Sequence, residues 1–179
     1  DLVRSRGLGD VYKRQHLYQA KDGQEQGGAY VKDLYHMLNL LGEKYYSSNR
    51  MLNIICNDKL SLARHPAVAI SVEIGDVDFS DLRDIDITTI FANLLDNALE
   101  AVEAFGEGAY LNLKIQEVHH FRVISIVNAS RPGMKKEGHM GVGLENVRRT
   151  VEAYQGTMQC EIVGEEYRVS VMLPGKEDS

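Results

Sequence analysis

The feature that most limits how this chain can fold is an apolar run near its middle that repeats with the period of a helix. Between Ile87 and Ala104, apolar side chains recur every three or four residues, which predicts a helix with one wide buried face. That face comprises Ile87, Ile90, Phe91, Leu94, Leu95, Ala98, Leu99 and Val102. Because such a face must be covered by other elements, the helix is expected to lie in the core of a globular domain.

The opposite face of this helix carries an unusual row of amides and acids. Asn93, Asn97 and Glu100 are spaced by four and three residues, so they share one face. Solvated helix faces favour Lys, Glu and Arg, whereas two asparagines cost helix stability. An amide oxygen can bind a hard cation, and an amide N–H can donate to a phosphate. The row is therefore consistent with a solvated polar face or with a site for a metal and a phosphate.

Composition narrows the class of protein. A chain of 179 residues can form one domain with a sizeable core and an appendage. The net charge of −6 argues against a nucleic-acid partner, and no apolar run reaches the length of a membrane helix. Cys56 and Cys160 lie far apart without metal-ligand spacing, which is typical of reduced thiols in a cytosolic protein. We therefore expect a cytoplasmic chain that makes no membrane contact of its own.

The first fifteen residues have no helical or strand period. The stretch DLVRSRGLGDVYKRQ resembles translated sequencing-adaptor read-through at the end of a gene model. We expect residues 1–15 to be non-native and exclude them from fold reasoning, the alternative being a natural basic loop. The authentic chain is then expected to begin near His16, truncated at its N-terminus.

Residues 16–65 are predicted to form a helical arm. The first helix has an apolar seam at Val31, Leu34, Leu38, Leu41 and Tyr45. The second has its apolar side at Leu52, Ile55, Cys56, Leu62 and Ala63. Ser47 or Ser48 can cap this second helix, and Pro66 is expected to end it. The pattern favours a helical hairpin or a dimerising bundle.

From residue 66 onward the pattern changes to strands separated by helices. The predicted order is a strand over Val68–Ile74, an acidic loop over Asp76–Asp86, the central helix, strands at Leu111–Ile115 and Arg122–Val127, a loop over 128–143, a helix from Leu144 stopped by Gly156, and a hairpin of Met158–Ile162 and Tyr167–Leu173. This part of the chain has few helices and many strands. We therefore expect an α/β two-layer sandwich, a mixed sheet with helices on one face.

A glycine-rich loop precedes the last helix. In GHMGVGLENVRRTVEAYQG, Gly141 and Gly143 stand directly before the predicted helix start at Leu144. Glycines there let backbone N–H groups approach an anion, and the helix N-terminus adds partial positive charge. The preceding loop also carries basic or titratable side chains at Arg131, Lys135, Lys136 and His139. The alternative is a flexible surface loop in which the glycines act as a hinge.

Taken together, the two motifs resemble those of a known superfamily. NLLDNALEA, followed about forty residues later by GVGLENVRRTVE, resembles the N-box and second glycine box of the GHKL superfamily. That superfamily comprises the ATP-binding domains of DNA gyrase, heat-shock chaperones, histidine kinases and MutL-type proteins. The resemblance covers about residues 67–174 and implies the Bergerat ATP-binding fold, with ATP and Mg²⁺ as ligands.

A narrower resemblance reaches further toward the N-terminus. SSNRMLNIICNDKLSLAR, IVNAS and HMGVGLENVRRTVE resemble segments of the AgrC-like sensor histidine kinases of peptide quorum sensing. This implies that residues 16–65 are a partial dimerisation and phosphotransfer hairpin, and that residues 66–179 are the catalytic domain. It further implies a homodimer through the hairpin, a response regulator as partner, and a parent protein anchored in the cell membrane.

The resemblance assigns roles to individual residues. Asn97 corresponds to the Mg²⁺ ligand, and Asn128 takes the place of the aspartate that accepts from the adenine amino group. Asn93 stands where hydrolytic members carry a glutamate; since an amide cannot act as a general base, this favours phosphoryl transfer to a protein side chain. Nucleotide contacts are implied for Asn93, Asn97, Asn128, Lys136, Gly141, Val142, Gly143 and Leu144.

The sequence departs from the family pattern in its first glycine box, its lid and its phosphoacceptor motif. The lid, residues 131–140, is short, and no clear Phe-containing box precedes it. The first glycine box is reduced to NASRPG, in which only Gly133 can stand for one of the glycines. His16 matches the second histidine of the His-Asp-x-x-Asn-His motif, so the phosphoacceptor would fall within the adaptor-like stretch. We therefore expect a protein histidine kinase core that lacks its acceptor. The alternatives are an anti-sigma-factor type serine kinase and a catalytically silent ATP-binding or dimerisation module.

Overall fold

The computed structural model describes residues 47–61, 65, 67–131 and 141–176, all within one compact unit, Glu43–Ser179. These residues form α1 (Arg50–Lys59), β1 (Ala69–Ile74), α2 (Asp84–Phe105), β2 (Tyr110–Val118), β3 (Phe121–Ala129), α3 (Val142–Ala153), β4 (Thr157–Val163) and β5 (Glu166–Pro174). The predictions for residues 1–46 (the adaptor-like stretch, His16 and the first helix of the arm) lie outside the described residues. So do those for Leu62, Ala63 and the loop 132–140 with Lys136.

The five strands form one mixed sheet in the order β1-β2-β3-β5-β4. β1 and β2 are parallel, and the other three pairs are antiparallel. α2 packs against β2 and β3, while α3 packs against β4 and β5. The strand residues beneath the helices are buried: Leu111, Leu113, Ile115, Ile124, Ile126, Val169, Val171 and Leu173. The predicted two-layer α/β sandwich is confirmed, with β3 as its central strand.

α2 is the long helix that the apolar period predicts, and its whole predicted apolar face is buried. The helix begins at Asp84, however, so the prediction of a loop through Asp86 was wrong at its end. Asp84 and Asp86 occupy the first turn, where carboxylates interact favourably with the positive end of the helix dipole. Gly106 ends the helix at a φ of 87°, a conformation that other residues rarely adopt.

The loop between β1 and α2 is acidic but not wholly solvated. Val77, Phe79 and Leu82 are buried, and the Phe79 ring meets the Phe91 ring edge-on at 5.8 Å between centroids. Arg122, a buried residue of β3, donates to the carbonyl of Asp78 at 3.1 Å. The loop is thus held against the core, which the charge pattern alone did not predict.

α1 begins and ends at residues other than those predicted. Asn49, rather than Ser47 or Ser48, is the N-cap, because its Oδ1 accepts from the Leu52 N–H at 2.9 Å. The helix ends at Lys59, where the Leu60 N–H donates to the carbonyl of Cys56 at 2.9 Å. The expectation that it runs to Pro66 was wrong, since a proline bars the preceding residue from helix without requiring the helix to reach it.

α1 packs on α2 and buries its own apolar side there. Leu52, Cys56 and Leu60 are all 0% exposed. Burial raises the pKa of the Cys56 thiol to about 12, so Cys56 behaves as an inert apolar residue. The domain boundary at residue 66 stays a prediction. None of the helices in the described part of the chain is both long and apolar enough to cross a bilayer.

α3 also differs from its prediction at both ends. It begins at Val142 with Gly141 as N-cap, not at Leu144, so Gly143 lies inside its first turn. At the other end Gln155, not Gly156, takes the left-handed conformation, with a φ of 59°. Gly156 is needed for a different reason, because a Cβ there would lie 2.6 Å from the Met172 carbonyl oxygen of β5.

Candidate functional site

The site begins with the polar side of α2, here called the polar ridge and defined as Asn93, Asp96, Asn97 and Glu100. Glu100 is exposed, whereas the other three are partly exposed. α1 and α3 both pack against α2, and each meets the ridge at a different residue. The prediction that the two asparagines and Glu100 share a face is confirmed by the helical geometry of Asp84–Phe105.

Asn93 is held between its own helix and the start of α3. Its amide Nδ2 donates to the carbonyl of Thr89 at 2.7 Å. A Cβ built on Gly143 would lie 2.9 Å from Asn93 Oδ1, closer than real Cβ atoms approach. Gly143 therefore lets α2 and α3 approach here without displacing the Asn93 side chain. Sequence reasoning considered only an approaching anion or a hinge at this glycine.

The N-terminus of α3 forms the second part of the site. Gly141, at its N-cap, has no side chain with which to cap the first-turn N–H groups. The Val142 side chain is 80% exposed, whereas that of Leu144 is buried in the core. Of Leu144, only the backbone N–H is thus suited to face a ligand. A helix start with this geometry attracts anions through its N–H groups and its dipole.

Asn128 supplies the third part. It lies in β3 between Leu111 of β2 and Tyr167 of β5, and it is 0% exposed. Its Nδ2 donates to the carbonyl of Ala129 at 3.0 Å. Its Oδ1 is buried with no hydrogen-bond partner among the described residues. Buried acceptors are nearly always partnered, since an unmet one costs about 1–3 kcal/mol.

Asn97 follows Asn93 by one turn of α2, and its amide oxygen is the donor type that Mg²⁺ accepts. Within the described residues, no group of three or more His, Cys, Asp or Glu side chains could hold a metal ion. This donor set fits Mg²⁺ bound mainly through phosphates and waters, which needs few protein ligands. It does not fit an ion held by protein ligands alone.

Lys59, and its pairing with Asp96 of the polar ridge, were missed by sequence reasoning. Lys59, in the last turn of α1, places Nζ 2.5 Å from Asp96 Oδ1 on the polar ridge. Beside this pair lies an open groove of about 220 Å³, lined by Lys59, His65, Asp96, Leu99, Glu100 and Glu103. The signal was a lysine at the end of an amphipathic helix, but the two residues are 37 apart in sequence. Nothing local therefore indicated which acid the lysine would meet.

Arg131 makes a contact different from the one expected. Sequence reasoning placed it among the basic residues that could reach a phosphate. In the structure its Nη2 donates to the carbonyl of Phe105 at 2.7 Å, and its guanidinium lies 5.8 Å from the centre of the Phe105 ring. Arg131 thus satisfies a backbone carbonyl at the end of α2, where a cation also interacts favourably with the helix dipole.

The far ends of α2 and α3 are joined by a hydrogen-bonded carboxylate. Asp86 accepts from Arg83 Nε at 2.7 Å and from the Tyr154 hydroxyl at 2.6 Å. These bonds, that of Arg83 above all, lower the pKa of Asp86 below its ordinary value. Since Asn93 meets Gly143 at the other end of the contact, the two helices run antiparallel and the position of α3 is set at both ends.

Comparison with known families decides what these elements belong to. The sequence profile of the GHKL domain matches residues 82–174, more than half of the chain. The chain belongs to the GHKL domain family. The match begins just before α2 and ends with β5, so it contains the polar ridge, Asn128 and the start of α3. α1 and β1 precede the matched part of the GHKL domain.

Solved structures of histidine kinases share the fold. The catalytic domain of ThkA aligns with a TM-score of 0.55 at 17% identity, over 72% of this chain and 94% of that chain. AdeS of Acinetobacter baumannii aligns at 0.57 and 14%, over 98% of both chains. The histidine kinase domain of a blue-light-activated kinase from Erythrobacter litoralis aligns at 0.56 and 14%, over 79% of this chain and 69% of that one.

At these identities the structures show that the GHKL domain has the fold of histidine kinase catalytic domains. Comparison with curated proteins finds no match. The narrower resemblance to AgrC-like kinases stays a prediction.

Proposed function

We propose that this chain is the catalytic core of a sensor histidine kinase, which binds Mg·ATP and transfers the γ-phosphate to a histidine of a dimerisation hairpin. The observation that carries the proposal is the buried Oδ1 of Asn128, an acceptor with no partner among the described residues. By the resemblance, Asn128 takes the place of the GHKL aspartate that accepts from the adenine amino group. The histidine kinases of shared fold support the choice of reaction.

Asn128 is suited to select adenine. Its Nδ2 is already bonded to the Ala129 carbonyl, so the side chain presents an acceptor and not a donor. Adenine offers an amino group to such an acceptor, whereas guanine has a carbonyl oxygen at the same ring position. The site is therefore expected to bind ATP and to discriminate against GTP, which would leave two acceptors facing each other.

The triphosphate would lie toward the start of α3. Backbone N–H groups of Gly141, Val142, Gly143 and Leu144 would donate to phosphate oxygens, with Lys136 adding a positive charge. Asn97 would hold Mg²⁺, which when bound supplies charge neutralisation to the phosphates. Asn93 carries no group able to take a proton from water, so the domain would act mainly by positioning the γ-phosphate for a protein acceptor.

The wider organisation follows from the same proposal. Residues 1–15 would be non-native, residues 16–65 a partial dimerisation hairpin, and residues 66–179 the catalytic domain. The intact parent would form a homodimer through the hairpin and pass its phosphate to a response regulator. It would be anchored in the cell membrane with this core in the cytoplasm, and its signal would be a quorum-sensing peptide.

Calorimetry with Mg·ATP and Mg·GTP tests whether the buried Oδ1 of Asn128 accepts from adenine. The wild type should prefer ATP, and Asn128→Leu should weaken ATP binding about tenfold to a hundredfold by removing the acceptor. Asn128→Asp keeps an acceptor for adenine but loses the Nδ2 donor to the Ala129 carbonyl, so it should retain the preference for ATP while lowering the stability of the fold. Equal affinity of wild type and Asn128→Leu for ATP would show that Asn128 is not part of the nucleotide site. A wild type that binds neither nucleotide would refute the proposed function.

A further inference from the structure

Lys59 and Asp96 form an ion pair at the edge of the proposed nucleotide site. Their Nζ and Oδ1 atoms are 2.5 Å apart, and their side chains are 17% and 49% exposed. Asp96 directly precedes Asn97 and follows Asn93 by three residues, so it lies within one helical turn of both amides. The polar ridge thus contains two carboxylates, the exposed Glu100 and Asp96, and Asp96 is the one that lies between the two amides in sequence.

An isolated carboxylate at this position would oppose the binding of an anion. Like charges less than about 10 Å apart repel measurably even where the local dielectric constant is close to that of water, because physiological salt does not fully screen them. The ammonium group of Lys59 offsets the charge of Asp96 by direct contact with its carboxylate. With Lys59 in place, the Asp96 side of the ridge carries no local net charge from this pair.

The position of Lys59 depends on the packing of α1. Lys59 is the last residue of that helix, and its neighbour Leu60 is fully buried. Leu52 and Cys56 are also fully buried on the apolar side of α1, which packs on α2. Lys59 is therefore positioned next to Asp96 by α1, a helix that lies outside the part of the chain matched by the GHKL profile.

We infer that Lys59 is a positioning residue of the nucleotide site: by neutralising Asp96 it makes the polar ridge receptive to the polyphosphate of a nucleotide. The inference rests on the proposed function. It adds that nucleotide affinity depends on the packing of α1 against α2. This helix, next to the GHKL domain, would contribute the positive charge of Lys59 to the site. Lys59 acts through Asp96 and need not touch the ligand.

The test compares Mg·ATP with adenosine in four variants, by calorimetry at low ionic strength. Lys59→Gln should weaken Mg·ATP binding about threefold to tenfold and leave adenosine binding unchanged, since adenosine carries no phosphate. Lys59→Arg should bind Mg·ATP as the wild type does. Adding Asp96→Asn to Lys59→Gln should restore Mg·ATP affinity to within about twofold. Asp96→Asn alone should leave it unchanged or up to about threefold tighter.

Lys114→Gln is the matched control. Lys114 pairs with Glu73 at 3.4 Å on β2, so this variant changes the net charge equally at an ion pair outside the polar ridge. It should leave Mg·ATP affinity unchanged. The thermal unfolding midpoint of each variant shows whether it is folded, and if Lys59→Gln is not, Lys59→Met takes its place with the same expected weakening.

Three outcomes would overturn the inference while leaving the proposed function standing. Unchanged Mg·ATP affinity in Lys59→Gln would show that the ligand does not sense Asp96. Equal weakening of ATP and adenosine would indicate a structural role for the lysine. Weaker Mg·ATP binding by Asp96→Asn alone would make Asp96 a favourable contact, not a charge to be neutralised. Failure of the wild type to bind Mg·ATP would overturn both proposals.

Discussion

At the scale of single residues, the site depends on a few close approaches between residues far apart in sequence. Asn93 and Gly143 are about fifty residues apart, yet a single added carbon on Gly143 would collide with the Asn93 amide. The buried Oδ1 of Asn128 has no hydrogen-bond donor among the described residues. At position 143 the absence of a Cβ matters, and at position 128 the amide oxygen matters. The helix or strand propensities of glycine and asparagine matter less there.

The contact between Asn93 and Gly143 predicts a coupling between two substitutions. Gly143→Ala should lower the free energy of unfolding by about 1 kcal/mol, because the new Cβ forces the Asn93 side chain to shift. In an Asn93→Ala background the same change should instead raise it by about 0.5 kcal/mol, since alanine is the better helix former. Urea denaturation of the four proteins measures the coupling. Equal effects of Gly143→Ala in both backgrounds would show that the amide is not the obstacle.

At the scale of secondary-structure elements, α2 organises the domain by meeting a different partner on each side. Its apolar face covers β2 and β3, one flank meets α1 and the other meets α3. The contact with α3 is held at both ends, by Asn93 against Gly143 and by Asp86 with Tyr154. Because the glycine loop leads directly into α3, these contacts determine where that helix presents its first-turn N–H groups.

The bonds of Asp86 predict a pH-dependent part of the stability. The pKa of Asp86 is lowered in the folded state, chiefly by the Arg83 hydrogen bond, from an ordinary value of 3.8. A depressed carboxyl pKa stabilises the fold fully above the unfolded value, and this stabilisation is lost as the pH falls through the folded value.

Asp86→Asn should therefore be about 1–3 kcal/mol less stable than the wild type at pH 7, and the difference should shrink as the pH falls below 3.8. Urea denaturation at pH 7, 4 and 3 measures it, with Tyr154→Phe removing one of the hydrogen bonds. A difference that stays constant over this range would show that Asp86 stabilises the fold by packing rather than by its charge.

At the scale of the whole molecule, the described residues contain a GHKL domain with an additional helix packed on its α2. The proposed reaction needs an acceptor histidine, and the proposed hairpin would also bring a second protomer. The resemblance places both with residues 16–65 and the native sequence before them. The isolated chain should therefore bind nucleotide without completing the transfer.

Incubation with γ-labelled ATP tests this expectation. The chain as given should bind Mg·ATP, hydrolyse it slowly because Asn93 is not a base, and acquire no label. Restoring the native residues before His16 should produce an acid-labile phosphohistidine and a dimer, read by mass spectrometry and light scattering. Label on His16 of the present chain would mean that the motif was misplaced by one histidine. Label on a serine or threonine of an added partner would favour the anti-sigma-type serine kinase.

Much of the fold could be predicted from the sequence because its signals are local. The helical period of Ile87–Ala104 and the strand pattern of β1 each depend on neighbours in the chain. Burial of an apolar face is decided by this periodicity, so the two-layer arrangement followed from it. The shared face of Asn93 and Asn97 followed for the same reason.

Only the tertiary structure decided which distant groups meet. Nothing near Lys59 indicates that its partner is Asp96, and nothing near Gly143 indicates that its neighbour is Asn93. The surroundings of the residues just beyond α1 and α3 were also decided this way, since Leu60 is fully buried and Gly156 lies close against β5. Periodicity determines which face of an element is buried, whereas the contacts between elements depend on how their side chains fit together, and no local pattern encodes that fit.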